Sequence, residues 1–231
     1  TALFTQNFTT ATDTYNTAVG YEAGYGLTTG PQNTLIGNRA GFGSSLATRI
    51  TTGTANTVIG YIASVTAADG DQANVIGAGV SGEGGYTTLG FSSNDIRAAH
   101  GNVTWATVSD ERYKKDIVDS TTGLSFINAL QPRTFKYKTL GELPETFRAY
   151  EADSTEVFKN SNTNHGFIAQ EVKAAIDADS SIKDGFKLWD DREDGSQEVA
   201  EAALIPILVK AIQEQNALIE ALTARVATLE G

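Results

Sequence analysis

A five-residue pattern, Asn-Thr-x-aliphatic-Gly, recurs in the first half of the chain and most constrains its fold. Its copies are NTAVGYEAG (16–24), NTLIGNRAG (33–41) and NTVIGYIAS (56–64), with weaker copies in NVIGAG (74–79) and YTTLGF (86–91). The pattern glycines of successive copies are 17, 23, 17 and 13 residues apart. Each copy therefore predicts one short strand followed by a turn of variable length.

Two adjacent aliphatic residues occur in most copies, such as Leu35 and Ile36. On a strand, such neighbours point to opposite faces, so both faces of the predicted sheet need cover. Stacked coils or three intertwined chains can supply that cover, since glycine allows tight corners and close backbone approach. The alternative is an irregular Gly/Thr-rich linker, which would not explain the ordered aliphatic pairs.

Glycine and charge divide the chain near residue 108. Residues 1–108 hold 17 of the 23 glycines but only 9 charged residues, whereas residues 109–231 hold 36 charged residues and 6 glycines. We predict an α+β chain with a β-rich repeat segment over 1–108 and a mixed α/β domain over 109–231. The chain contains no Met, so we expect it to be a segment of a longer protein.

Composition excludes several function classes. The net charge of −11 argues against a nucleic-acid partner, because phosphate contacts need clustered Lys and Arg. No apolar run approaches the roughly 20 residues that span a bilayer, so we expect no membrane partner. The chain has no Cys, and neither His100 nor His165 has ligands at metal spacing, so we predict no metal and no cofactor. The acidic run DDRED (190–194) lacks calcium-loop spacing and predicts a turn.

The first half offers only scattered carboxylates, so we expect no glycan hydrolysis there. The tyrosines of this half could contact a carbohydrate receptor or pack along a shaft. They are Tyr15, Tyr21, Tyr25, Tyr61 and Tyr86.

An apolar seam runs through the C-terminal stretch at alternating spacings of three and four residues, which is typical of a coiled coil. We predict this helix over about 199–230. The seam residues are Ile205, Leu208, Ile212, Gln215, Ile219, Leu222, Val226 and Leu229.

The motif SDERYKKDI (109–117) lies at the composition boundary, directly after the apolar stretch VTWATV (103–108). By itself, this pattern indicates an extended segment that meets a turn or helix start, with Ser109 or Asp110 as the N-cap.

The same motif, as Ser-Asp-x-Arg-x-Lys-x-x-Ile, resembles the opening of the endosialidase-type intramolecular chaperone domain of phage tail spikes and fibres, which also occurs in myelin regulatory factors. It is matched here by Ser109, Asp110, Arg112, Lys114 and Ile117. The likeness continues in order through LSFINALQPRTFKYK (124–138), HGFIAQEVKAAI (165–176) and ALIPILVKAIQEQNALIEAL (203–222). The repeats of the first half resemble those of trimeric tail-fibre shafts and of trimeric adhesin heads.

This resemblance implies a domain that cuts its own chain once, beside Ser109, at a site bounded by Val108 and Asp110. Ser109 would be the nucleophile and Lys114 the general base. A free lysine amine has a pKa of about 10.4, so a lysine base has to be desolvated to be neutral near pH 7. Asp110, with Arg112 and Ile117, would support the motif.

Geometry sets a further requirement on this pair. Residues five apart do not share a face of a helix or of a strand, so we expect a bend between Ser109 and Lys114, or contacts from a neighbouring subunit. Lys115 is the rival base, since residues six apart share a face of a strand.

The resemblance also implies a homotrimer in a virion tail, whose chaperone domain is released in the host cytoplasm after assembly. A host-surface receptor or glycan is the possible partner of the N-terminal segment. The alternative is a permanent trimeric adhesin whose C-terminal domain stays attached as an anchor. A membrane-released transcription factor would need a membrane span and a basic DNA-binding region, and the sequence shows neither.

Overall fold

A computed structural model describes residues 2–43, 49–182 and 186–230. The chain forms two compact units, Thr1–Lys115 and Asp116–Gly231. In the described part of the chain, no helix combines the length and the apolar character that a membrane crossing requires.

The N-terminal unit is a stack of short strands that resembles a β-solenoid. Its main sheet has the order β1-β2-β3-β5-β7-β8, and all neighbours are parallel except the antiparallel hairpin β7–β8. A second, two-stranded parallel sheet joins β4 and β6. The strands are β1 (Thr17–Val19), β2 (Thr34–Ile36), β3 (Thr57–Ile59), β4 (Ser64–Val65), β5 (Asn74–Ala78), β6 (Ser81–Gly82), β7 (Tyr86–Phe91) and β8 (Asn94–Ala99).

The repeated pattern sets the register of these strands. Leu35 pairs with Val58, and Val58 pairs with Val75, so the middle residue of each strand points inward, and all three side chains are fully buried. The next residue, as in Ile36 and Ile76, lies on the outer face and remains exposed. The predicted β-rich repeat segment is confirmed as stacked coils of one chain, with one face of the sheet buried within the unit.

The pattern glycines form the corners of the coils. Gly37 has φ +129° and Gly60 has φ +133°, a region that disfavours side chains. A Cβ on Gly37 would also overlap the carbonyl oxygen of Gly60, the equivalent glycine in the next coil. The glycine is therefore required by the close stacking of the coils as well as by the turn.

The pattern asparagines form a buried ladder inside the stack. The Oδ1 atom of Asn16 accepts the backbone N–H of Asn33 at 2.8 Å, and Oδ1 of Asn33 accepts that of Asn56 at 3.1 Å. Nδ2 of Asn33 also donates to the carbonyl oxygen of Gly53 at 2.9 Å. The ladder ends where Asn56 accepts the backbone N–H of Ala73, since alanine has no side-chain amide to continue it.

The C-terminal unit is mixed α/β. Its two small sheets are both antiparallel, β9 with β10 and β11 with β12. The elements are α1 (Leu124–Ala129), β9 (Arg133–Phe135), β10 (Asn164–Gly166), α2 (Ala169–Ala178), β11 (Trp189–Asp191), β12 (Gln197–Val199) and α3 (Ile205–Glu230), with short 3-10 helices at Leu140–Glu142 and Glu201–Leu204.

The core of this unit is built around Phe126 of α1, Val172 of α2 and Leu188. Helix α3 contributes Ile207 and Ala211 to the buried set, whereas its residues 216–230 are all exposed. The long C-terminal helix is thus confirmed. It begins at Ile205, because β12 and a 3-10 helix occupy 197–199 and 201–204.

The acidic run 190–194 continues from β11 into the turn that precedes β12. Asp194 accepts the backbone N–H of Ser196 at 2.9 Å and its hydroxyl at 2.6 Å. It also accepts the backbone N–H of Arg148 at 3.0 Å, which ties two distant segments together. These hydrogen bonds, that from the Ser196 hydroxyl first, lower the pKa of Asp194 from its usual 3.8 to about 2.

We expect Asn33→Ala to destabilise the N-terminal unit by about 1–3 kcal/mol, because it leaves the buried N–H of Asn56 without its acceptor. Urea unfolding followed by circular dichroism in the β-sheet region measures this loss. Asn7→Ala, an exposed position in the same unit, is the matched control. Equal midpoints for the two variants would contradict the structural role of the ladder.

Acidification should weaken the turn at Asp194. Because the folded-state pKa is lowered, the carboxylate stabilises the fold above pH 3.8, and this contribution disappears as the pH falls from about 4 through about 2. We expect the urea midpoint of the chain to drop more between pH 5 and pH 2.5 than that of Asp194→Asn. The control variant Glu193→Gln, in the same acidic run, should show the same decrease in urea midpoint as the unchanged chain.

Candidate active site

An extended segment lies against β8 and leads to Ser109. Backbone hydrogen bonds of 2.8 Å join Arg97 and Ala106 in both directions. The hydroxyl of Thr107 donates to the carbonyl oxygen of Asp95 at 3.0 Å. The apolar stretch 103–108 therefore runs beside the terminal hairpin of the stack, and Ser109 follows directly.

A 3-10 helix, Glu111–Tyr113, turns the chain immediately after Ser109. Asp110 is its N-cap and accepts the backbone N–H of Arg112 at 2.9 Å. At its C-terminal end, the N–H of Lys114 donates to the carbonyl oxygen of Glu111 at 2.8 Å. A regular helix or strand would place Ser109 and Lys114 on different faces. The 3-10 turn bends the chain between these two residues.

The bend brings the side chains of Ser109 and Lys114 together. The Nζ atom of Lys114 donates a hydrogen bond to Oγ of Ser109 at 2.7 Å. In the part of the chain that the structure describes, no hydrogen bond connects Lys115 with Ser109. Of the two lysines weighed from sequence, Lys114 is the one in contact with the serine.

An ion pair between Arg112 and Asp110 also holds this turn. Nε and Nη2 of Arg112 donate to the two carboxylate oxygens of Asp110 at 2.9 and 2.6 Å. These hydrogen bonds hold the pKa of Asp110 below its usual value. Asp110 is thus an ionised acceptor near neutral pH that both caps the 3-10 helix and pairs with Arg112.

The site is open to solvent in the single chain. Ser109 and Lys114 are both exposed, and so are the nearby apolar side chains of Val108 and Tyr113. Ile117, the last residue of the motif, is also exposed. The side chains of the contact between Ser109 and Lys114 are thus in water in the single chain, whereas a lysine base requires desolvation.

The apolar seam of α3 is exposed as well. Six of its large hydrophobic residues, together with Ile205 at the start of the helix, carry a substantial exposed surface. They are Leu208, Ile212, Ile219, Leu222, Val226 and Leu229. A different face of α3, with Ile207 and Ala211, packs into the core of the unit. The seam is therefore separate from the contacts that fold the unit.

Sequence analysis missed one residue that links α3 to the rest of its unit. A carboxylate oxygen of Glu214 accepts the backbone N–H of Leu124 at 2.8 Å and so caps the start of α1. This hydrogen bond lowers the pKa of Glu214 below its usual value. The spacing of Leu204, Ile207, Ala211 and Glu214 by three and four residues is the signal that could have indicated a second helix face.

The two histidines belong to different units of the chain. Nε2 of His100 lies 3.4 Å from Nδ2 of Asn74, and His165 is in β10. Within residues 2–43, 49–182 and 186–230, no group of three or more His, Cys, Asp or Glu side chains is arranged to hold a metal ion.

The segment that contains this site matches a known family. Residues 109–180 match the family model described as the chaperone of endosialidase. Residues 109–180 are therefore similar to chaperone-of-endosialidase domains. The match begins at Ser109, and it includes α1, β9, β10 and α2. Searches of curated proteins and of solved structures found no match.

The family match confirms the resemblance drawn from the motif. The chaperone-of-endosialidase segment covers about a third of the chain, and α3 lies beyond its end. The contact between Ser109 and Lys114 falls at the first residues of the matched segment.

Proposed function

We propose that this chain is part of a phage tail fibre or spike whose C-terminal domain assembles three chains and then releases itself by cutting beside Ser109. The contact of 2.7 Å between Lys114 Nζ and Ser109 Oγ, at the start of the chaperone-of-endosialidase segment, carries this proposal. The repeat stack of the N-terminal unit is the part of the fibre that remains.

The proposed reaction is the cleavage of one peptide bond in two acyl-transfer steps. Neutral Lys114 takes the proton from Ser109 Oγ while the oxygen attacks the carbonyl carbon of the adjacent peptide bond. That peptide bond breaks, its nitrogen leaves as an amine with the proton from Lys114, and an ester remains. Water then hydrolyses the ester and regenerates the hydroxyl. No cofactor takes part in these steps.

Assembly supplies the condition that the single chain lacks. The lysine must be desolvated to lose its proton, and the exposed apolar side chains around it, such as Val108 and Tyr113, would favour burial against other chains. Cleavage would then follow trimer formation and would not occur in the free monomer. This order suits a chaperone that must stay attached until its fibre has formed.

Helix α3 is the proposed centre of the trimer. Its seam keeps the spacing of a coiled coil and plays no part in the core of its own unit. Gln215 is a polar seam position that could set the register of the helices. The number of three chains rests on the resemblance to trimeric tail fibres and not on the seam residues.

The repeat stack explains why such a helper is useful. Its outer face carries exposed aliphatic residues such as Ile36 and Ile76, which three aligned stacks could cover. Identical repeats can also associate out of register, because every coil presents the same pattern. A trimeric domain at one end fixes the register and raises the local concentration of the three stacks.

We expect the full chain to split when expressed, whereas Ser109→Ala and Lys114→Ala stay whole. Denaturing electrophoresis with mass spectrometry would show the 24.4 kDa chain divided in proportion to 108 and 123 residues, into pieces of roughly 11 and 13 kDa. Lys115→Ala is the matched control and should still be cut. An intact chain in a trimeric sample would refute autoproteolysis and favour a permanent anchor.

We expect Leu222→Asp to prevent both trimerisation and cleavage, because it places a charge in the seam of α3. Leu218→Asp is the matched control, since Leu218 is exposed to 56% and Leu222 to 59%, but only Leu222 belongs to the seam. Light scattering after size-exclusion chromatography gives the number of chains, and electrophoresis gives the cut fraction. A trimeric, fully cut Leu222→Asp chain would contradict the seam as the trimer contact.

A further inference from the structure

The residue after the glycine corner occupies the same exposed position in the first three coils. Tyr21, Asn38 and Tyr61 form this column, and all three are exposed. Backbone hydrogen bonds keep them in line, since Arg39 donates to the carbonyl oxygen of Tyr21 at 2.7 Å and Ile62 donates to that of Asn38 at 3.0 Å. The column therefore places two tyrosines on one side of the stack with an amide between them.

The spacing of the two tyrosines is set by the sheet. They are two coils apart, which corresponds to about 10 Å at the usual distance between paired strands. That distance is close to the length of two sugar units in an extended glycan. The side chains of Tyr21 and Tyr61 are similarly open, with 59% and 57% of their surface exposed. Each ring can thus offer an aromatic face to the C–H face of a pyranose ring.

Polar groups surround the tyrosines on the same side of the stack. The side-chain amide of Asn38 can both donate and accept hydrogen bonds, as recognition of sugar hydroxyls requires. In the adjacent column, Glu22 and Arg39 form an ion pair of 2.7 Å. A hydrogen bond to Glu22 raises the pKa of Tyr21 and also fixes the position of its side chain.

The backbone corners beneath the column have nearly the same geometry. Gly20, Gly37 and Gly60 have φ values of +127°, +129° and +133°, so the three corners share one conformation. Binding across such a surface requires little ordering of the protein. The outer aliphatic residues, such as Ile36, lie before the corner in a separate column, and this apolar column is the one that suits another protein chain.

We propose that Tyr21, Asn38 and Tyr61 form a binding site for a linear, pyranose-containing glycan that lies along the stack of coils. The two rings stack on sugar units that are separated by about 10 Å, and Asn38 binds hydroxyl groups between them. The role of this site in host attachment rests on the proposed fibre function, but the binding itself does not depend on cleavage.

The test uses the full chain with Ser109→Ala, so that a failure of cleavage cannot affect the result. The probe is a printed array of bacterial O-antigen and capsular polysaccharides together with linear glucose oligomers, followed by calorimetric titration of the glycan that binds best. We expect Tyr21→Ala or Tyr61→Ala to weaken binding about tenfold, and the double variant to weaken it about a hundredfold. Tyr61→Phe, which keeps the ring, should bind nearly as the parent does.

Tyr15→Ala is the matched control, because Tyr15 is exposed to 73% but lies outside the column. It should leave binding unchanged. Light scattering on the same variants separates a glycan site from a contact between chains. The proposal is overturned if no glycan on the array binds, if Tyr15→Ala weakens binding as much as Tyr61→Ala does, or if the double variant changes the number of chains in the assembly.

Discussion

An ammonium group surrounded by water keeps its proton at neutral pH, and this constraint governs the proposed chemistry of the chain. Lys114 and Ser109 are already in hydrogen-bond contact within one chain, so the turn at Glu111–Tyr113 settles their geometry locally. A lysine base has to be desolvated, and Lys114 is exposed in the single chain. Folding of one chain thus positions the groups, and burial by further chains would activate them.

The N-terminal unit shows a related dependence on neighbours. A single coil contributes one strand of three to six residues to the main sheet and has little apolar surface to bury by itself. Stability comes from the next coil, through the buried column of Leu35, Val58 and Val75 and through the asparagine ladder. Such a stack gains little until several coils are in place, which makes correct alignment at one end important for folding.

Much of this architecture could be predicted from the sequence, because the repeat specifies it directly. The aliphatic pair predicts a strand with one inward and one outward side chain, and Leu35 and Ile36 occupy those positions. The sequence does not reveal that Asn33 bonds to the coils on both sides, because that depends on how coils of unequal length align. Geometry inferred from the sequence also does not decide whether Lys114 or Lys115 contacts Ser109, because the short 3-10 turn that brings Lys114 to Ser109 has no periodic signal. The capping of α1 by Glu214 joins residues 90 positions apart, and local patterns carry no information on such a contact.

The hairpin β7–β8 has a consequence for the size of the assembly. The last strand of a parallel stack has an unpaired edge on which a further coil can pair. The repeat pattern by itself therefore does not limit the number of coils. At β8 the chain reverses direction, and its outer edge is met by the segment around Ala106 in place of another coil. The reversal ends the series of parallel rungs and leaves no open parallel edge at this end for a second molecule to extend. The hairpin therefore sets a boundary to the stack of coils, and such a boundary protects a repetitive protein from polymerising end to end.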